Sequence, residues 1–123
     1  MVIVKNIAEL PRHPMGERGE QISLVNEAIG ARHVDVHINV LRPAGPDGRY
    51  HYHPDSENIY IVLEGTGRLM AEGQEHILKK DDVVFIPAGA RHSLSARGDR
   101  NFVIVEIYAP VPVKFVPVDT ESS

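Results

Sequence analysis

The chain has 123 residues, a formal net charge of −4 with histidine neutral, seven histidines and no cysteine. This length predicts a single domain, and the lack of cysteine excludes disulfides, thiolate metal sites and a cysteine nucleophile. Lysine and arginine are nowhere concentrated enough to favour a nucleic-acid partner. No secretory signal and no run of about 20 apolar residues is present, so we expect a soluble, cytoplasmic protein without a membrane partner.

The segment from Arg32 to Leu41 alternates apolar and polar residues. A strict period of two is typical of a strand whose faces meet different surroundings. The polar face carries His37, which could line a cavity as a base or a substrate contact. The apolar face is expected to bury inside the fold or against a partner subunit, and it consists of Val34, Val36, Ile38 and Val40.

Short strand-like segments follow, each bounded by glycine or proline. They cover residues 58–65, a predicted hairpin over residues 67–78, residues 81–89 and residues 101–110, with an extended tail beyond. An apolar spacing of 3.6 residues persists nowhere, so no long helix is expected. Many short strands between such turns predict an all-β sandwich or barrel.

The stretch from His51 to Gly65, HYHPDSENIYIVLEG, places two histidines two residues apart. Side chains at positions i and i+2 of a strand point to the same face, so His51 and His53 project together, about 7 Å apart along the chain. Neutral imidazole is a good ligand for Zn, Ni, Fe and Cu ions. Pro54 then turns the chain, so that the next strand can bring a further ligand beside the pair.

That further ligand is Glu57 or Asn58, which face opposite sides of a regular strand. Glu57 is chemically the better ligand, because its charge offsets that of a dication, and a β-bulge could turn it inward. Tyr60 has the parity of Asn58, so it is expected to point inward, either packing in the core or placing its hydroxyl near the site. His92 follows the turn of Pro87 to Gly89 and would complete a site of three nitrogens and one oxygen.

Together these motifs resemble the two signatures of the cupin superfamily. The first is matched by Gly45, His51, His53, Glu57 and Gly65, and the second by Pro87, Gly89 and His92. The resemblance covers residues 35–109 and implies an antiparallel jelly-roll β-barrel that is commonly a homodimer. It implies one divalent transition metal, such as Zn, Ni, Mn or Fe, with the ligands His51, His53, Glu57 and His92.

The match departs from the family pattern at three positions. Glu57 lies one residue farther from Gly65 than usual, so counting back from Gly65 puts Asn58 in the ligand position. Asp81 replaces the glycine that normally opens the second motif, and Ala96 replaces an expected asparagine. The first departure leaves Glu57, Asn58 and a site of histidines alone all open.

This resemblance also suggests an organisation and a function. We expect an N-terminal extension with a strand over residues 1–30, the barrel over residues 31–112 and a tail over residues 113–123 whose end is frayed. The leading hypothesis is a metalloenzyme of dioxygenase, isomerase or lyase type that acts on a small oxygenated metabolite, with His37 and Tyr60 as candidate catalytic residues. A non-catalytic module that binds a sugar or an acid is the alternative, and a structural or storage barrel is the third hypothesis.

Overall fold

The computed structural model describes residues 1–119, and its regular structure is almost entirely β-strand. Two short 3₁₀ helices, Ile7–Glu9 and Glu27–Ile29, interrupt the strands, and no helix in residues 1–119 has the length and apolar character to cross a membrane. The strands of this part of the chain are β1 (His13–Pro14), β2 (Gly19–Val25), β3 (Asp35–Leu41), β4 (His51–Tyr52), β5 (Glu57–Glu64), β6 (Thr66–Ala71), β7 (Gln74–Leu78), β8 (Val83–Ile86), β9 (His92–Arg97), β10 (Phe102–Ala109) and β11 (Val116–Pro117).

These strands form two antiparallel sheets. One has six strands in the order β1-β2-β3-β10-β5-β8, and the other has five in the order β11-β4-β9-β6-β7. The predicted all-β, antiparallel fold is thereby confirmed as a two-sheet sandwich. The predicted closure into a barrel is not found, because within residues 1–119 no ladder joins a strand of one sheet to a strand of the other.

Apolar side chains fill the space between the sheets. Phe102 and Ile104 of β10 and Val62 of β5 are completely buried, and they share one cluster with Leu69 of the opposite sheet. Burying each such side chain contributes about 1.5–3 kcal/mol. Gly67 of β6 lies against this cluster, because a Cβ there would approach a ring carbon of Phe102 to 2.3 Å.

The strand predicted around His37 is β3, and the structure settles where its two faces lie. His37 and Leu41 are buried on the inner side of the sheet, and Leu41 joins the core. Val36, Ile38 and Val40 therefore face the other side, where Val36 and Ile38 align with apolar residues of β10, β5 and β8. This outer apolar face consists of Val36, Ile38, Ile59, Ile61, Val83, Phe85, Val105 and Ile107.

Both predicted flanking segments take part in the sheets. In residues 1–30, β2 pairs with β3, and in the tail β11 pairs with β4. The tail therefore lies against the strand that carries His51. The boundaries at residues 30 and 112 stay a prediction, and the fraying expected at the end of the tail concerns residues 120–123, which lie outside the described residues.

Candidate metal centre

Two strands of the five-stranded sheet place His51 and His92 side by side. Their Cα atoms are partners in the β4–β9 ladder, and His53 comes directly after β4. The ring centroid of His51 lies 4.4 Å from that of His92 and 4.8 Å from that of His53. One nitrogen of each ring lies within 4.8 Å of the other two. The structure thus brings together the three histidines that the sequence predicted to converge.

Each of the three rings is fixed by a hydrogen bond from its Nδ1 atom to a main-chain carbonyl oxygen. A carbonyl oxygen only accepts, so each Nδ1 carries the proton and each Nε2 presents a lone pair. This tautomer is the one that a metal ligand bound through Nε2 requires. The acceptors are Arg49 for His51 at 2.6 Å, Lys114 for His53 at 2.7 Å and Ala90 for His92 at 2.9 Å.

Two of the Nε2 atoms are buried without a partner. His53 is 3% exposed and His92 is 0% exposed, and neither Nε2 atom has a hydrogen-bond partner among the described residues. An unsatisfied buried polar atom costs about 1–3 kcal/mol, so folded proteins satisfy such atoms with a polar group, water or an ion. An ion shared by the Nε2 atoms would satisfy both, and these residues therefore fit a divalent transition metal.

The environment of His51 and His92 also keeps these two rings neutral. Burial is the largest cause that lowers the pKa of His51 to about 4, and the neighbouring His92 and His53 lower it further. Burial likewise lowers the pKa of His92. Because metal ions bind neutral imidazole, these two rings are in the binding form at neutral pH.

The two candidate fourth ligands differ in exposure and in the side of β5 on which they lie. Glu57 is exposed and is not part of the histidine group, and the ladder around it is regular, without the bulge that would turn it inward. Asn58 is 0% exposed. Its Nδ2 donates to Oε2 of Glu106 and to the carbonyl of Ile107, both at 3.1 Å, while its Oδ1 has no partner among the described residues. Only the carboxamide of Asn58 therefore lies on the inner side of β5 at this point.

A buried ion pair between β3 and β10 holds Glu106 beside Asn58. Nε2 of His37 lies 2.9 Å from Oε1 of Glu106, and Nδ1 of His37 lies 2.8 Å from Oδ1 of Asp35. Burial by itself lowers the pKa of His37, but the hydrogen bonds and charges of the two carboxylates outweigh it and raise that pKa. Burial by itself raises the pKa of Glu106, but the hydrogen bond and charge of His37, together with the hydrogen bonds of Tyr108 and Asn58, outweigh it and lower that pKa. Each ring nitrogen of His37 thus faces a carboxylate oxygen, which favours the doubly protonated ring and an ionised Glu106.

The family assignment rests on the segment that carries these residues. The family model for the cupin domain matches residues 38–108, which is more than half of the chain and includes His51, His53, Asn58 and His92. The chain belongs to the cupin family. The superfamily resemblance that the two sequence motifs indicated is thereby confirmed.

Relatives of this cupin differ in what is known of them. An uncharacterized protein of Aquifex aeolicus is 37% identical over 108 residues, covering 87% of this chain and 84% of the relative. The 5-nitrosalicylic acid 1,2-dioxygenase of Bradyrhizobium sp. is 26% identical over 116 residues and 86% of this chain, which spans 55% of the length of the dioxygenase. Among solved structures, the polyketide cyclase RemF from Streptomyces resistomycificus has a TM-score of 0.79 at 19% identity, covering 99% of this cupin and 90% of RemF. That structure shows a shared fold.

A cavity of about 390 Å³ opens beside His51 of this cupin, which forms part of the cavity wall. His37 and Tyr60, the two candidate catalytic residues of the sequence, both line it. The Tyr60 side chain is buried, its ring centroid lies 6.4 Å from that of His92, and burial raises the pKa of Tyr60. Its hydroxyl is therefore protonated, and it can donate a hydrogen bond.

Sequence patterns did not identify three residues that contact the centre. Glu106 could have been, because it is the one charged residue in the apolar strand Phe102–Ala109. Phe115 stacks on His51 with 4.2 Å between ring centroids, and Lys114 supplies its carbonyl to His53. Both lie in the extended tail, where neither periodicity nor a motif distinguishes them.

Proposed function

We propose that this cupin is a metal-dependent enzyme that acts on a small oxygenated metabolite. One divalent ion would be held by the Nε2 atoms of His51, His53 and His92. The observation that carries this proposal is the pair of buried, unpartnered Nε2 atoms whose tautomer is already fixed by main-chain carbonyls. Zn, Ni, Mn and Fe ions all accept imidazole nitrogen, so elemental analysis must identify the ion.

We assign the fourth ligand position to Oδ1 of Asn58 rather than to Glu57. The oxygen is buried and unpartnered, and both acceptors of the Asn58 Nδ2 group lie on β10. These two hydrogen bonds fix the orientation of the carboxamide, so that its oxygen is the atom left for an ion. Glu57 supports no comparable contact, since its side chain is exposed.

The residues around the cavity suggest how a substrate is handled. When bound, the ion would act as a Lewis acid at an open coordination position or bring oxygen beside a chelating substrate. Tyr60 would donate a hydrogen bond or a proton to the substrate, because its hydroxyl is protonated and its side chain lines the cavity. His37 has a carboxylate at each ring nitrogen, so we propose that it acts through Glu106. Among the dioxygenase, isomerase and lyase reactions, similarity to the 5-nitrosalicylic acid 1,2-dioxygenase favours the first.

We also propose that the protein is a homodimer, as its family resemblance implies. The outer apolar face supports this, because Val83 is 69% and Phe85 is 57% exposed at its edge. Contiguous apolar patches of several hundred Å² are uncommon on monomers and mark interaction sites. A second copy of the chain would cover both β8 edges at once through one symmetric contact.

Elemental analysis and oxygen uptake test the proposed enzyme. Purified protein should carry close to one transition-metal ion per chain, and His51→Ala should lose it while its circular dichroism stays that of a folded β protein. Oxygen consumption with a panel of hydroxylated aromatic acids then tests for dioxygenation, and turnover without oxygen would favour the isomerase or lyase reactions. Folded protein that takes up no metal contradicts the proposal, and metal-loaded protein that binds but never converts a ligand would favour the binding module.

A further inference from the structure

The proposed ligand set contains no charge of its own. Three neutral imidazoles and one carboxamide leave the two positive charges of a divalent ion uncompensated, and a buried charge is costly unless it is paired. Glu106 contacts this set through Asn58, but its carboxylate already accepts from His37, Asn39 and Asn58. The open coordination positions of the ion therefore favour a ligand that brings a negative charge.

Two arginines on the wall of the same cavity add to this preference. Arg18 is half-buried and donates to the carbonyl of Leu94 at 3.0 Å. Arg49 is exposed and lies two residues before His51, where β4 begins. Within residues 1–119 neither guanidinium has a carboxylate at ion-pair distance. Arginine favours carboxylates and phosphates, because its planar fork can donate two parallel hydrogen bonds.

The carboxylates of the cavity wall are already paired. Asp47 receives a hydrogen bond from Arg97 at 3.0 Å, and Glu106 is paired with His37 at 2.9 Å. The remaining polar groups of the wall include the hydroxyls of Tyr60 and Tyr108, and burial raises the pKa of both tyrosines. The Tyr108 hydroxyl already hydrogen-bonds Glu106, so the Tyr60 hydroxyl is the one of the two that can donate to an anion. The wall therefore offers an anion a hydrogen bond without an unpaired negative charge.

Apolar side chains form another part of the wall. Phe115 lies on the His51 ring, and Met15 and Leu94 also line the cavity. A volume of about 390 Å³ falls within the range of about 300–1,000 Å³ that is typical of small-molecule sites. The cavity therefore accommodates an organic body beside the charged group of a ligand.

We infer that the cavity selects a small organic anion, a carboxylate with an apolar or aromatic body, whose charge is held jointly by the proposed ion and by Arg18 and Arg49. This inference rests on the metal site proposed above. It adds the class of substrate and two residues that determine specificity. Neutral molecules of the same shape are excluded from tight binding, because they leave the two guanidinium groups and the ion without a counter-charge.

Calorimetric titration of the zinc-loaded protein with salicylate and with salicylamide tests the inference. The two probes have nearly the same shape, and only salicylate is charged at neutral pH. Salicylate should bind at least tenfold more tightly. Arg49→Gln should weaken salicylate binding about tenfold, as expected for one charge-assisted hydrogen bond, and should leave salicylamide binding unchanged. The substitution keeps the main-chain carbonyl that orients His51.

Two further variants complete the experiment. Arg18→Lys retains the charge but not the planar fork, so it should weaken salicylate binding less than Arg18→Gln does. Arg100→Gln changes an exposed arginine outside the cavity wall and should bind salicylate as the unchanged protein does. Equal affinity for the two probes, no binding of either, or unchanged salicylate binding by Arg49→Gln would overturn the inference. Elemental analysis before titration keeps this result separate from failure of the proposed enzyme, which would appear as protein without zinc.

Discussion

At the scale of single residues, the role of Asn58 as the fourth ligand is the part of the proposed site that a single substitution tests most directly. Its Oδ1 is buried without a partner among the described residues, while Nδ2 has two acceptors. We expect Asn58→Ala to weaken zinc binding at least about tenfold, which is the lower end of the loss seen when even a supporting group of a metal site is removed. Competition with a chelator of known affinity measures the change.

Glu57→Ala is the matched control for this measurement. The two residues are neighbours in β5, but the Glu57 side chain is exposed. Its removal should change zinc affinity less than about twofold, in keeping with the small effects of exposed side chains. A large loss in Glu57→Ala together with a small one in Asn58→Ala would reverse our assignment.

The ion pair of His37 and Glu106 predicts a pH-dependent contribution to stability. The folded-state pKa of His37 is raised, so its stabilisation is fully present below the unfolded value of about 6.5 and is lost as the pH rises through the folded value. Breaking a buried pair by removing one partner costs about 3–5 kcal/mol. We therefore expect His37→Gln to lower the free energy of unfolding by about 3 kcal/mol near pH 6 and by less near pH 9.

Urea unfolding of the metal-free protein at both pH values provides the measurement. The groups that face His37 are Glu106 and Asp35, with Tyr108 at 5.7 Å between ring centroids. His33→Gln, which changes an exposed histidine, corrects for effects of pH on the rest of the chain. A loss in His37→Gln that is equal at the two pH values would show that packing, rather than charge, accounts for the role of His37.

At the scale of elements, the turn before β9 connects two of the histidines. Gly89 has a φ of +85°, its amide donates to the carbonyl of His53 at 2.8 Å, and β9 then begins at His92. Forcing a β-branched residue into this conformation costs about 1–3 kcal/mol. We expect Gly89→Val to lower stability by that amount and to weaken zinc binding, because the turn positions His53 relative to His92.

Gly98 offers a control with nearly the same backbone. Its φ is +83°, and, as at Gly89, an added Cβ would meet no atom within 4 Å. Gly98 lies after β9, at the end away from His92. Gly98→Val should therefore lose similar stability in urea unfolding and keep its zinc affinity. Equal zinc affinity in the two folded variants would contradict the role given to the Gly89 turn.

Local sequence patterns predicted some elements because their causes are local. The β6–β7 hairpin turns at Glu72 and Gly73, which both have positive φ, and a short turn containing glycine between apolar alternations is the sequence pattern of such a hairpin. The convergence of His51, His53 and His92 followed from strand parity and from the two motifs. The hairpin turn and the shared side of His51 and His53 are decided by residues close together in the chain, whereas His92 was expected from the second motif and reaches the pair through the β4–β9 ladder.

The features that the sequence left open or missed depend on partners far along the chain. Whether Glu57 or Asn58 points inward is decided by the ladder between β5 and β10, which strand parity alone does not fix. The pairing of His37 with Glu106 spans 69 residues. The carbonyl that orients His53 belongs to Lys114. Because every residue has the same main-chain oxygen, the residue types do not indicate which carbonyl accepts this hydrogen bond.

At the scale of the whole molecule, the outer apolar face predicts self-association. Phe85 is 57% exposed on β8 of the six-stranded sheet. A charge placed there would have to be desolvated on dimerisation, which costs several kcal/mol when it is unpaired. We expect sedimentation analysis to find a dimer for the unchanged protein and a monomer for Phe85→Glu.

The control for association changes an apolar residue of the other sheet. Ile77 on β7 is 50% exposed, so Ile77→Glu introduces the same charge at similar exposure and should leave the dimer intact. Dissociation by Ile77→Glu but not by Phe85→Glu would place the contact on the five-stranded sheet. A monomer in the unchanged protein at all concentrations would contradict the proposed dimer.

The hydrogen bond from His53 to Lys114 has a consequence for the order of events during synthesis. Translation proceeds from residue 1, so a nascent chain that has folded through β10 contains all three imidazoles but not yet the acceptor for His53 or the ring that covers His51. Two rings are then oriented and the third can rotate. Tight binding of the proposed ion would therefore follow the synthesis of β11 and its pairing with β4.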